Sequence, residues 1–287
     1  MKYPWTKKPD PDTMRKTLPL TLLPRHYTEP SVFTAGGLLR EARRQKSLAT
    51  GMVPEVCLLD PDGDIVRYLI AQNRAARSTV RACYHTDLYT FESAGVLFGV
   101  VGCAVGAPFA VLVAEELFSS GCQFLISMTS AGQITATRRL PYFVLIDKAL
   151  RDEGTSGNYL PPEDYAAVDA SLLKLLTRAP ALRPLDLEIG ATWTTDAPFR
   201  ETAAAIERCR ELKILGVEME AAALYAFSRV MGKPVICLAH MTNQMATVAG
   251  DFEKGASNGS EDALEVIESV ASVWRQSRDS ARPSEVQ

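Results

Sequence analysis

Short apolar runs alternate with amphipathic stretches along most of this chain. The continuous runs Val96–Gly102 and Phe124–Met128 predict strands buried on both faces. Glu55–Leu59, Tyr142–Ile146, Leu187–Trp193 and Val235–His240 predict further strands. Helical spacing of apolar residues predicts helices over Thr34–Lys46, Ile65–Arg74, Pro108–Ser120, Pro162–Thr177, Phe199–Arg210, Glu218–Met231 and Ser260–Gln276. Pro108 suits a first helical turn. Asp60-Pro61-Asp62-Gly63 reads as a turn. Strands alternating with helices predict an α/β fold, here a single domain with a central mixed, mostly parallel β-sheet flanked by helices. Residues 1–50 read as a proline-rich N-terminal arm carrying one short helix, 51–278 as the main domain, and 279–287 as a polar, frayed tail.

Composition narrows the class. Hydrophobic residues make up 47% of 287 residues, enough for a sizeable core. A net charge of −3 and the lack of a basic run argue against nucleic acid as a partner. No apolar stretch reaches the length of a membrane span. Ala94–Val113 comes nearest but is broken by glycines and Pro108. The N-terminus lacks a signal-peptide core, and Cys57, Cys83, Cys103, Cys122, Cys209 and Cys237 form no Cys-x-x-Cys pair. A cytoplasmic protein with reduced, mostly buried cysteines is expected. His26, His85 and His240 are scattered, so no metal site is expected.

Ligands of such sheets sit at the carboxyl ends of the strands. Candidate chemistry gathers in the segments placed there. The most informative is Leu215-Gly216-Val217-Glu218-Met219-Glu220-Ala221-Ala222-Ala223-Leu224-Tyr225. An acidic pair opens an apolar, alanine-rich helix, where the carboxylates meet the positive end of the helix dipole. A carboxylate there can accept from two neighbouring hydroxyls, and the thioether beside it offers a soft apolar surface, a combination that fits the vicinal diol of a sugar. The plainer reading is an acid capping a core helix. Gly63-Asp64-Ile65-Val66-Arg67 pairs a glycine with a guanidinium fork four residues on, suited to an anion or simply a turn before a helix. Gly102–Pro108 is a glycine-spaced strand-to-helix turn whose amides can line an anion or ribose pocket, or bind nothing. Ser127–Ile134 brings hydroxyls after a strand, suited to phosphate or sugar oxygens. In Trp193–Thr202, Phe199 can stack on a base and Arg200 can reach a carbonyl, while Thr195, Asp196 and Pro198 also make a good helix N-terminus.

These motifs, in this order, resemble the nucleoside phosphorylase superfamily over roughly residues 50 to 275. The resemblance implies that 51–278 is a nucleoside phosphorylase-like catalytic domain. It places Met219 against the ribose and Glu220 on its hydroxyls, with Glu218 at a further acidic position and Thr129 beside the sugar. Gly63, Arg67, Thr129 and Ser130 inherit phosphate binding. Phe199, Arg200, Asp196 and Asn243 inherit base binding, and Glu220, Asn243 and Arg200 the catalytic roles. Three departures stand out. Met128 replaces a usual glycine, Ile126 and Ser127 stand where uridine-type members place an arginine, and Gln244 follows Asn243 where those members have an arginine. Asn243 also replaces the aspartate of adenosine-cleaving relatives, which favours an oxygenated base because an amide does not readily supply a proton.

The resemblance thus implies phosphorolysis of the N-glycosidic bond of a uridine- or oxopurine-like ribo- or deoxyribonucleoside, giving free base and ribose 1-phosphate. Inorganic phosphate is the co-substrate, and no cofactor is implied. Nucleoside and phosphate are the partners, with no nucleic acid and no membrane. A homodimer or higher homo-oligomer is expected, its site completed across the interface, with Arg81 and His85 as candidate donors. The missing strand arginine keeps hydrolysis open, and a non-catalytic nucleoside-binding role on the same fold is the third possibility. The segment Asp251–Gly255 carries no assigned role.

Overall fold

The computed structural model describes residues 25–245 and 249–281. Residues 1–24 of the expected arm lie outside these residues. Its one expected helix is present as α1 (Ala35–Gln45), where the Thr34 hydroxyl accepts from the Gly37 amide at 3.1 Å and closes the first turn.

The elements then follow as β1 (Val56–Asp60), α2 (Asp64–Ala71), β2 (Ala76–Arg77), β3 (Tyr89–Ser93), β4 (Val96–Gly102) and α3 (Ala107–Ser119). Next come β5 (Phe124–Gln133), β6 (Tyr142–Asp152), β7 (Tyr165–Ala167), α4 (Ala170–Arg178), β8 (Glu188–Thr195) and α5 (Ala203–Glu211). β9 (Gly216–Glu218), α6 (Ala221–Met231), β10 (Val235–Asn243) and α7 (Ser260–Ala281) complete the order. α7 continues through Ala281, past the expected start of the frayed tail.

The sheet is mixed. β1 pairs in parallel with β4 and β5, β10 with β5, and β8 with β6 and β9. The pairings β10–β6, β2–β3, β3–β4, β5–β9 and β6–β7 are antiparallel. The parallel pairings are the longer ones, led by β10–β5 and β6–β8, so the sheet is mixed and mostly parallel as expected. The pairings β5–β10–β6–β8–β9–β5 close on themselves, so these five strands have no free edge among them.

Two long strands explain where the sequence reading fell short. β5 continues through Thr129–Gln133, a stretch expected to lie after the strand, because it pairs with β10 as far as Gly132 and with β9 at Gly132 and Gln133. The expected helix Pro162–Thr177 opens instead with β7, since Tyr165–Ala167 pair with β6, and Asp169 starts α4 by accepting from the Ser171 and Leu172 amides.

The core lies on both sides of this sheet. α1, α3 and α6 pack in succession, as do α2, α7 and α4. In α6 the run Ala221–Ala223 is fully buried, letting the helix approach the sheet closely. Tyr225 is also fully buried. Its hydroxyl accepts from the Cys237 amide at 3.1 Å and donates to the Ile146 carbonyl at 2.5 Å, locking α6 to β10 and β6.

Candidate active site

β1, β4, β5 and β10 run parallel, so Asp60, Gly102, Thr129 and Asn243 gather near the same end of the sheet. The start of α6 meets them there. Glu220 is its N-cap residue, yet its side chain makes no capping bond. One carboxylate oxygen accepts from the Gly106 amide at 2.7 Å and the other from the Thr129 hydroxyl at 2.9 Å.

Glu220 is free for this because Glu218 does the capping. The Glu218 carboxylate accepts from the Glu220 and Ala221 amides, both at 2.7 Å, and from the hydroxyls of Thr192 at 3.1 Å and Thr194. Thr194 also accepts from the Ala222 amide at 2.9 Å. The first amides of α6 are thereby satisfied without Glu220. Four protein donors occupy Glu218, so the structure assigns that carboxylate to the helix end and not to a sugar. Both acids are buried. Burial raises the pKa of Glu218. Burial, reinforced by the charge of Glu218, pushes Glu220 up to about 8, against the lowering effect of the Gly106 and Thr129 bonds. Met219, between them, is half-buried.

The turn before α3 supplies the Gly106 amide. Gly106 adopts φ +90°, which positions that amide at Glu220, and Cys103 sits at φ +62° on the same turn. The neighbouring turn after β1 has its own logic. Asp60 accepts from the amides of Gly63 at 3.1 Å and Val66 at 2.9 Å, ordering the start of α2. Gly63 takes φ +76° and lies so close to Cys103 and Arg67 that a side chain there would collide with both. Arg67 is exposed and turned back, donating to the Asp62 carbonyl at 2.7 Å and to Asp64 at 2.8 Å.

Lys254 is a cation that the sequence reading did not place. It bridges Asp62 at 3.0 Å and Asp64 at 2.6 Å, across 190 residues of chain. With Asp60, Asp62, Asp64, Thr129, Ser130 and His240 it lines a narrow cleft. Burial, then the charge of Lys254, lowers the pKa of His240 to about 4, so this ring is neutral at physiological pH. Ser130 shares a hydrogen bond with Thr242 at 2.9 Å.

The expected base-binding residues are less gathered. Pro198–Arg200 form an exposed 3₁₀ turn, with Phe199 99% exposed. Asp196 accepts from the Gly154 amide at 2.8 Å and so tethers a neighbouring loop. Neither Thr195 nor Asp196 caps the following helix. Thr202 does, accepting from the Ala205 amide at 3.3 Å. Asn243 is buried at the end of β10, accepting from the Met245 amide at 2.9 Å and donating to Thr242 at 3.2 Å.

Of the two candidate interface donors, Arg81 is buried and pairs with Glu116 of its own chain at 2.7 Å. His85 is exposed and packs edge-on against Phe109 in the first turn of α3. Ligand atoms of Cys83, His85 and Glu116 lie within 4.8 Å of one another.

The family model of the Phosphorylase superfamily matches residues 55–272. A guanosine phosphorylase from Halorubrum lacusprofundi is 28% identical over 67% of this chain and 75% of its own. A uridine phosphorylase from Thermococcus kodakarensis is 23% identical over 71% of this chain and 83% of its own. A solved uridine phosphorylase structure from Vibrio fischeri superposes with a TM-score of 0.64, covering 77% of this chain and 93% of that one at 20% identity, a likeness of fold. The family match takes in every segment of the candidate site, from the turn after β1 to Lys254, and the chain belongs to the Phosphorylase superfamily.

Proposed function

We propose that this protein is a nucleoside phosphorylase that cleaves the N-glycosidic bond of a uridine- or oxopurine-like nucleoside, releasing free base and ribose 1-phosphate. The observation that carries the reading is Glu220. It is a buried carboxylate, relieved of capping duty by Glu218, whose oxygens each hold one protein donor and retain capacity for a sugar hydroxyl.

Cleavage builds positive charge on the sugar and negative charge on the base. Ionised Glu220 holds the ribose hydroxyls and fixes the ring, with Met219 against its apolar face. Phosphate, held by Arg67, the Gly63 turn and the Thr129 and Ser130 hydroxyls, attacks the anomeric carbon as the C–N bond to the base breaks, and the bond electrons leave with the base. Arg200 and Asn243 stabilise that leaving anion, and Phe199 stacks on it. The names of the guanosine and uridine phosphorylase relatives support an oxygenated base.

One observation favours a second reading, hydrolysis. Arg67 and Lys254 are both already paired with carboxylates, and three aspartates line the cleft beside them. Such a lining disfavours a phosphate dianion. Incubating the protein with a nucleoside panel, with and without phosphate, separates the two. Ribose 1-phosphate formed only with phosphate supports phosphorolysis. Free ribose at a rate independent of phosphate supports the hydrolase, and no release of base from any nucleoside refutes both.

A further inference from the structure

We propose that Cys83, His85 and Glu116 form a binding site for one divalent transition-metal ion of the zinc class. The three side chains offer a thiolate, an imidazole nitrogen and a carboxylate oxygen, all within 4.8 Å of one another. This is a donor set that zinc prefers, with a fourth position left for water. Zinc bonds of about 2.0–2.3 Å bring such ligands to roughly 3.5 Å apart. An inward shift of about 1 Å therefore suffices, within reach of an exposed His85 in the connection between β2 and β3.

Glu116 is the independent sign of a missing ligand. Its carboxylate is buried, and Oε1 has no hydrogen-bond partner. Oε2 accepts from Arg81 Nη2 at 2.7 Å. One oxygen is thus held by a cation while the other stands empty, the arrangement in which an outer partner orients a metal-binding carboxylate. A buried carboxylate oxygen left unpaired is costly, and a cation on Oε1 removes that cost. Arg81 Nε and Nη1 also lack acceptors.

The remaining contacts prepare the sulfur. The His85 amide donates to Cys83 Sγ at 3.3 Å, and Sγ lies 3.5 Å from the Thr86 hydroxyl. Lys46, at the end of α1, donates to the Cys83 carbonyl and anchors the loop. On binding, the Cys83 thiol loses its proton to solvent and a metal–sulfur bond replaces the S–H bond. His85 packs on Phe109, three residues after Gly106, whose amide holds Glu220. A metal at this point braces the start of α3, a structural role separate from the glycosidic chemistry.

The test uses the full chain, stripped with a chelator and titrated with zinc against a competing chromophoric chelator, and separately with cobalt(II). One equivalent of zinc per chain is expected, together with a thiolate-to-cobalt charge-transfer band in the near ultraviolet. His85→Ala, at an exposed position that leaves the core intact, should weaken zinc binding at least about 100-fold, and Cys83→Ser should abolish the charge-transfer band. Circular dichroism confirms that each variant is folded, and His85→Ala alone decides the matter if Cys83→Ser is not. Failure of the stripped wild type to take up zinc overturns the proposal. So does cobalt binding without the thiolate band, or unchanged zinc affinity in His85→Ala.

Discussion

Glu218 and Glu220 stand two residues apart at the start of α6, while Phe199 and Arg200 stand together on the turn after β8, and the two regions are built in opposite ways. The acidic pair is buried, and its oxygens are fixed by amides and hydroxyls drawn from β8, β5, the turn before α3 and α6 itself. The Phe199–Arg200 turn is exposed. The contrast follows the chemistry. The 2′,3′-diol is common to ribonucleosides whatever their base, so on the proposed function one preorganised acceptor serves all of them. The base differs between substrates, and on the proposed function Phe199 and Arg200 meet it from an exposed turn that can adapt, beside the buried Asn243.

Four experiments break or sharpen that contrast. The largest effect is expected on stability. Glu218→Ala leaves the Glu220 and Ala221 amides and two threonine hydroxyls without their buried acceptor, which should cost about 3 kcal/mol or more in denaturant unfolding. A loss below about 1 kcal/mol would show that Glu218 is not the cap of α6. Next is Glu220→Ala, expected to lower kcat/KM at least about 30-fold, the scale of about 2 kcal/mol for a lost charged hydrogen bond. Activity within about threefold of wild type would remove Glu220 from the site.

On the base side, uridine or inosine should be cleaved at least about tenfold better than adenosine, about 1.4 kcal/mol. Arg200 and Asn243 can donate to a carbonyl oxygen, whereas the adenine amino group is itself a donor, and two facing donors leave both unpaired. Adenosine emerging as the best of the three would refute this reading of the base site.

The smallest effect is a pH dependence. Folding raises the Glu220 pKa from 4.5 to about 8, so between these values the folded protein holds a proton that the unfolded chain has lost. Stability contributed by that protonation is complete below the lower value and is lost as pH rises through the higher one. Glu220→Gln should therefore gain melting temperature over wild type as pH rises from about 5 to about 8.5, with the difference smallest at the acid end. Nucleoside binding by the wild type should move the other way and strengthen towards pH 8, as the carboxylate ionises to accept the sugar hydroxyls. A melting difference that is flat with pH would rule out the raised pKa.

The sequence carried a good part of this picture. The alternation of strands and helices was readable, because it is written in neighbouring residues. What was hidden depends on distance along the chain. The division of labour within the acidic pair is set by Thr192 and Thr194, more than twenty residues earlier, and by Gly106, 114 residues away. β7 is a strand only because β6 is there to pair with it. Lys254 reaches Asp62 and Asp64 from a loop with no local signature. Cys83 and His85 are near neighbours that the sequence reading did not join, and Glu116, the third ligand proposed, arrives from α3.

The most direct test of Glu220 as the ribose carboxylate is a cycle between protein and substrate. kcat/KM is measured for a ribonucleoside and its 2′,3′-dideoxy counterpart, with wild type and with Glu220→Ala. If Glu220 holds the two hydroxyls, their removal costs the wild type at least about 30-fold and the variant no more than about threefold, because the partner has already gone. Equal losses in both proteins would contradict it and place the ribose hydroxyls elsewhere.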